Sequence, residues 1–157
     1  MIQRIQTLYL LLATILTVAC MSMCIGSFVS EQGEVAARLY NLFYVVVDEG
    51  GKSSSFFTPW ALFVILLISA TLSFMNIFLF KHRTLQMRVC IFCILMLIGW
   101  YIAYCAFAWL ISDMLQSTSF RVTAMASMPF VCVVLHYLAF RCIRKDEKLV
   151  RSLDRLR

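Results

Sequence analysis

Arg141–Arg157, RCIRKDEKLVRSLDRLR, is the only long, dense run of charge in this chain, and where it sits decides how everything before it is read. It carries seven of the fourteen Lys and Arg residues and three of the eight Asp and Glu residues. What precedes it is mostly oil-soluble. The apolar fraction is 62% and the charged fraction 14%, against roughly 45–50% and about 25% in an ordinary soluble domain. Mean hydropathy is +0.88. A departure in both directions at once marks a membrane protein, and 157 residues allow a single domain, 1–157. The net charge of +6 could suit nucleic acid, but the basic residues flank apolar runs and build no nucleic-acid module. The lipid bilayer accounts for them, and no nucleic-acid partner is expected.

Outward from the tail lie four uncharged apolar stretches, about 122–140, 89–112, 59–80 and 7–29. At about 1.5 Å per residue each is close to the ~30 Å needed to cross a hydrocarbon core. TVAC at Thr17–Cys20 faintly resembles a lipoprotein cleavage site, but Thr17 stands where Leu is usual and the apolar run continues past Cys20, which favours a retained helix. Pro59 suits the first turn of the second span and Trp60 an interface. Pro129, near the middle of the fourth span, predicts a kink. Gly99 and Ala103, and Ser69 and Ser73, mark faces where helices can approach closely.

Four spans place both ends on one side, and the positive-inside rule says which. Arg4, Lys81, Arg83, Arg88 and the tail give eleven cations on that side; Arg38, Lys52 and Arg121 give three on the other. Both termini are therefore expected in the cytoplasm, in a multi-pass protein of the inner membrane, with the loop 30–58 outside. In that loop Leu39–Val47 (LYNLFYVVV) is strand-like and Asp48–Ser55 (DEGGKSSS) turn-like. It reads either as a two-stranded hairpin or as an irregular loop with its aromatics on the headgroups. Asp113–Arg121 reads as a short link. The fold class expected is all-α: an antiparallel four-helix membrane bundle with a small outer loop and a basic amphipathic C-terminal helix, 141–157. In that helix Leu149, Val150, Leu153 and Leu156 share one side, set among Arg144, Lys145, Lys148, Arg151 and Arg155. Such a stripe can lie on anionic lipid, dock on a protein partner or a second copy, or serve only as a solvated, orienting tail.

The candidate chemistry is sparse. Gln6, Asn76, Cys93, His136 and Tyr137 fall at one depth, near the basic end of their spans. Polar groups in hydrocarbon turn inward and pair, so Asn76 and His136 are expected to face the bundle interior, as helix-to-helix ties or as the lining of a small polar vestibule. Cys90 and Cys93 have the CxxC spacing of thiol oxidoreductases, but they lie at the cytoplasmic end and the outer loops carry no cysteine. Cys20, Met21, Met23 and Cys24 offer soft sulfur that suits Cu(I), but they do not share a face, and no metal is expected. A lone intramembrane His136 argues against haem. No catalytic triad, metal-ligand set or phosphate-binding loop appears, and no Asp, Glu, Lys or Arg lies inside a span. A non-enzymatic accessory or interaction protein without cofactors is the expectation; a binder or carrier of small molecules or lipid, using the level around Asn76 and His136, is the alternative.

The opening MIQRIQTLYLLLA and the closing IRKDEKLVRSLDRLR resemble the two terminal motifs of an uncharacterised, domain-of-unknown-function family of small four-span inner-membrane proteins of Bacteroidota. The resemblance implies location and topology. It implies no activity and assigns no functional residue.

Overall fold

Each long apolar stretch folds as a helix whose buried positions are spaced alternately four and three residues apart. On helix α1 (Ile2–Ser22) these are Gln6, Leu10, Ala13, Thr17 and Cys20, and on α3 (Arg83–Met114) Gln86, Cys90, Cys93, Leu97, Trp100 and Tyr104. That spacing keeps one stripe turned toward a neighbour along the whole helix, as in left-handed bundle packing. Helix α2 (Trp60–Phe78) and α4 (Met128–Asp154) follow the same rule. The helices form a ring in which α1 packs on α2 and α4, and α3 packs on the same two. The structure, a computed structural model, describes residues 2–30, 34–47, 53–56, 59–79, 82–114 and 118–154, with side chains at all of these except 2–4, 47, 53, 118 and 150–154.

The outer faces of the helices are apolar like the interior, and the interior also holds polar side chains. Leu8, Leu11, Ile15 and Val18 on α1, Leu67, Phe74, Met75 and Phe78 on α2, and Leu95, Ile98 and Ile102 on α3 are exposed. Thr17, Ser69, Ser73, Asn76, Gln86 and His136 are buried. All four helices are long and apolar enough to cross a membrane. Exposed Trp60 and Trp109 lie near the opposite end from the basic tail.

The expectation of an all-α chain is corrected by a five-stranded antiparallel sheet at that opposite end, in the order β4-β3-β2-β1-β5. The strands are β1 (Cys24–Ser30), β2 (Val35–Tyr40), β3 (Tyr44–Val47), β4 (Ser53–Phe56) and β5 (Thr118–Val122). The first span therefore does not run to residue 29. Helix α1 stops at Ser22, and Cys24–Ser30 (CIGSFVS) turns extended, with Ile25, Phe28 and Val29 buried. The strand-like stretch Leu39–Val47 is two strands, broken at Asn41–Phe43 by a tight turn in which the Tyr40 amide donates to the Phe43 carbonyl at 2.9 Å. The hairpin expected next is present as β3 and β4, with Tyr44 opposite Phe56; its turn, 48–52, lies outside the described residues. The short link before the fourth span supplies β5, which pairs with β1 from Gly26↔Val122 to Ser30↔Thr118. Ile25, Phe28, Ala37 and Leu39 form the sheet face that packs with Leu62, Leu66, Leu97 and Trp100 in one core.

Two smaller expectations change with the boundaries. Pro129 does not kink a span. After a 3-10 turn at Ala124–Ser127 the helix begins at Met128, so Pro129 occupies the first turn, where its missing N–H costs nothing. Gly99 marks no close approach within the chain, since a Cβ there would meet nothing within 4 Å. The tail is one helix with α4, unbroken to Asp154.

Candidate functional site

Sheet and bundle are locked by one buried polar relay. The Asn41 side chain, in the turn after β2, donates from Nδ2 at 2.7 Å to the Cys20 carbonyl at the end of α1, which also accepts from the Met23 amide at 3.3 Å. Its Oδ1 accepts from Trp100 Nε1 at 3.2 Å. Trp100 stacks on Tyr104, with ring centres 5.2 Å apart and planes 6° from parallel. The Tyr104 hydroxyl donates to the Ile25 carbonyl at 2.9 Å, and the Tyr101 hydroxyl to Ala126 at 2.8 Å. The end of α1, the sheet and the entry to α4 are thus all read by one face of α3.

Toward the other end the bundle interior carries a polar column. The Ser73 hydroxyl reaches the Leu10 carbonyl at 3.3 Å and accepts from Thr14 Oγ1 at 3.1 Å, joining α1 to α2. Cys132 Sγ lies 3.5 Å from Thr17 Oγ1 and 3.6 Å from the Ala13 carbonyl, joining α4 to α1. Asn76 Nδ2 donates to Cys90 Sγ at 3.2 Å, and Gln86 Nε2 donates to the Asn76 backbone carbonyl at 3.2 Å. His136 Nδ1 lies 2.8 Å from the Cys132 carbonyl. A carbonyl only accepts, so Nδ1 holds a proton; a neutral ring in this tautomer carries its lone pair on Nε2. Among the described residues, three buried polar atoms in this column have no partner: Ser69 Oγ, Asn76 Oδ1 and His136 Nε2.

Of the five residues singled out by depth, Asn76, Cys93 and His136 are fully buried, Gln6 is nearly so, and Tyr137 is half exposed on the outer surface of α4. They do not form one cluster. Gln6 donates to the carboxylate of buried Asp146, tying the start of α1 to the tail. Cys93 Sγ lies 4.0 Å from the Ser69 carbonyl. Cys90 and Cys93 thus both point into the α2 interface, and both are buried and unbridged. Of the soft-sulfur group, Cys20 lies 3.9 Å from the Met125 carbonyl, Cys24 lies 3.2 Å from the Gly26 carbonyl, and Met23 is exposed. The residues missed were Gln86 and Asp146. Ser69 and Ser73, expected only as marks of close helix approach, also belong to this column, and with Asn76 they recur at four and three along α2.

The tail's inner face is Ile143 and Asp146, with Ile143 in a cluster with Leu10, Cys90 and Ala139. Arg144, Lys145, Lys148 and Leu149 are exposed. The side chains of Val150, Arg151 and Leu153, and residues Arg155 and Leu156, lie outside the described part. Between α3 and α4 at this basic end runs a groove of about 430 Å³, lined by Thr84, Met87, Arg88, Ile91, Phe140, Arg144, Glu147 and Lys148.

No curated protein matches the chain. The apolar stripes, the sheet and the basic helical end are features of the whole length, and the family match has the same extent: residues 2–156 fit the profile described as a domain of unknown function (DUF4293), and the chain belongs to that family.

Proposed function

We propose that the chain crosses the inner membrane four times with both ends in the cytoplasm, and that it is a non-catalytic accessory or interaction subunit. The observation that carries this reading is the sheet. Segments far apart in sequence, 24–56 and 118–122, are joined into one rigid platform and latched to the helices through Asn41, Trp100 and Tyr104. Membrane anchoring alone needs no such platform. Its outermost strands, β4 and β5, present exposed Ser54, Ser55 and Phe56 on one side and Ser119, Arg121 and Val122 on the other. Free strand edges are costly to leave open and suit a partner surface. The tail offers the second surface. Chemical crosslinking of the intact protein in its native envelope, read by mass spectrometry, is expected to join one partner to the sheet or the tail. Reversing the charge with Arg151→Glu and Arg155→Glu is expected to lower that partner's recovery about tenfold, a loss of ~1.4 kcal/mol. Recovery at the wild-type level from both the variant and a chain with altered sheet edges sinks the proposal.

The three partnerless atoms favour a second reading, a binder that admits a guest able to donate hydrogen bonds to Asn76 Oδ1 and His136 Nε2. An unpaired buried acceptor costs about 1–3 kcal/mol, so an empty interior is relieved by removing it. Asn76→Leu and His136→Phe are then expected to leave stability unchanged or raised in a purely structural bundle. If a guest is held, the same variants release it and lower stability, measured by denaturation in mixed micelles.

A further inference from the structure

We infer that the groove between α3 and α4 at the basic end is a seat for one anionic phospholipid of the adjacent leaflet. The inference rests on the membrane-spanning reading, and on neither the sheet nor the interior column. Its rim is cationic: Arg88 from α3 and Arg144 and Lys148 from α4 face the opening, all three exposed, against one carboxylate, Glu147. Three cations to one anion leave a surplus of positive charge, and a phosphate diester supplies the complement. The volume, about 430 Å³, lies within the ~300–1,000 Å³ typical of small-molecule sites.

The apolar lining selects lipid over a soluble anion or an acidic peptide. Met87, Ile91 and Phe140 line the same groove as the cations and make the rest of its wall apolar. From Ile91 an exposed apolar track continues along one face of α3 through Leu95, Ile98 and Ile102, at intervals of four, three and four residues. Ile91 to Ile102 spans about 16 Å at helical rise, close to half of the ~30 Å hydrocarbon core, which is the depth of one leaflet. A headgroup held by Arg88 and Arg144 therefore has a path for its acyl chain that ends where the leaflet ends. A peptide or free phosphate has no use for that path. Phe140, Arg144 and Lys148 also border an adjoining hollow of about 840 Å³ on α4, with Arg141 and Lys145. The cationic surface thus continues past the groove, and basic pockets between spans beside a membrane surface are known to take acidic headgroups.

The full-length protein, purified in neutral detergent and stripped of lipid, is titrated with phosphatidylglycerol, phosphatidylcholine or inorganic phosphate and read by native mass spectrometry. One phosphatidylglycerol is expected to bind at least ten times more tightly than phosphatidylcholine. Inorganic phosphate at equal concentration is expected not to displace it. Arg88→Gln with Arg144→Gln and Lys148→Gln is expected to abolish the preference, while Arg38→Gln with Arg121→Gln at the sheet end leaves it intact. Because the triple variant can misfold, the wild-type protein is also photolabelled with a phosphatidylglycerol carrying a diazirine on its acyl chain. Adducts are expected at Ile91, Leu95, Ile98 or Phe140. Equal binding of the two lipids, displacement by phosphate, adducts confined to other helices, or a dimer whose contact covers the groove and excludes lipid would overturn the inference. Failure of the membrane-spanning reading shows separately, as release of the protein from membranes by alkaline carbonate.

Discussion

Trp100→Ala is expected to be the most damaging truncation in the chain, costing about 3–5 kcal/mol, the range for deleting a large buried aromatic side chain. Trp100 is the largest fully buried side chain. It stacks on Tyr104, meets Tyr101 edge-on with ring centres 5.0 Å apart, and donates to Asn41. Its removal opens a cavity and strands Asn41 Oδ1, so two costs add. Asn41 in turn holds the Cys20 carbonyl near the end of α1, and the damage is expected to spread to the sheet. Trp100→Phe separates the terms. It keeps a ring but loses the indole N–H, and is expected to cost about 1–3 kcal/mol for the stranded acceptor plus the lost volume. Denaturation in mixed micelles, followed by circular dichroism, gives both values. A Trp100→Ala protein as stable as the wild type would show that the latch does not hold sheet to bundle.

The second large effect is expected at Gly26. Any side chain there starts inside the Phe120 ring: a Cβ would lie 2.7 Å from Cε2 and 2.8 Å from Cζ, with the Tyr104 hydroxyl 3.4 Å away. The ring's movement is restricted by its packing against Phe28 and Tyr104, at centroid distances of 4.9 and 6.1 Å. Alanine forces the ring to shift; valine adds two methyls to the collision. Overpacking of this kind costs about 1–3 kcal/mol. The strain falls on β5, a five-residue strand held in the sheet by β1 alone. Gly26→Val is therefore expected to loosen β5 and to speed tryptic cleavage after Arg121 about tenfold or more, the equivalent of ~1.4 kcal/mol or above. Cleavage at the wild-type rate would mean that β5 does not depend on this contact.

These two sites also show what the sequence could and could not reveal. The helices were legible because length and apolar content alone distinguish a span, and their inner faces follow from the four-three spacing. The sheet was hidden for two reasons. β1 continues the apolar run of α1 without a polar break, so hydropathy runs unchanged through Met21–Val29 while the backbone turns from helix to strand. β5 is five residues, TSFRV, whose only reason to be extended is a partner about ninety residues earlier. Pairing at that separation leaves no local mark. The same blindness moved Pro129 into mid-span, because the apolar run begins at Val122 whereas the helix begins at Met128.

The five residues picked out by depth do not form one group. Asn76 and His136 do turn inward. Depth along a span says nothing about direction around it, however, and Tyr137 follows His136 by one residue, a rotation of about 100° that carries it to the outside. Asp146, within the charged tail, is the buried partner of Gln6, and Leu149 of the apolar stripe is exposed.

The threading of the chain through the bilayer is tested most directly by placing one new thiol at each end of the bundle. Ser54→Cys is exposed on the sheet and Lys145→Cys is exposed beside the basic groove. In intact cells a membrane-impermeant maleimide is expected to label Ser54→Cys above the background of the unsubstituted chain, and to reach Lys145→Cys only after the inner membrane is opened. Labelling of Lys145→Cys in intact cells, or equal labelling of both positions, would contradict four crossings with the cationic ends inside.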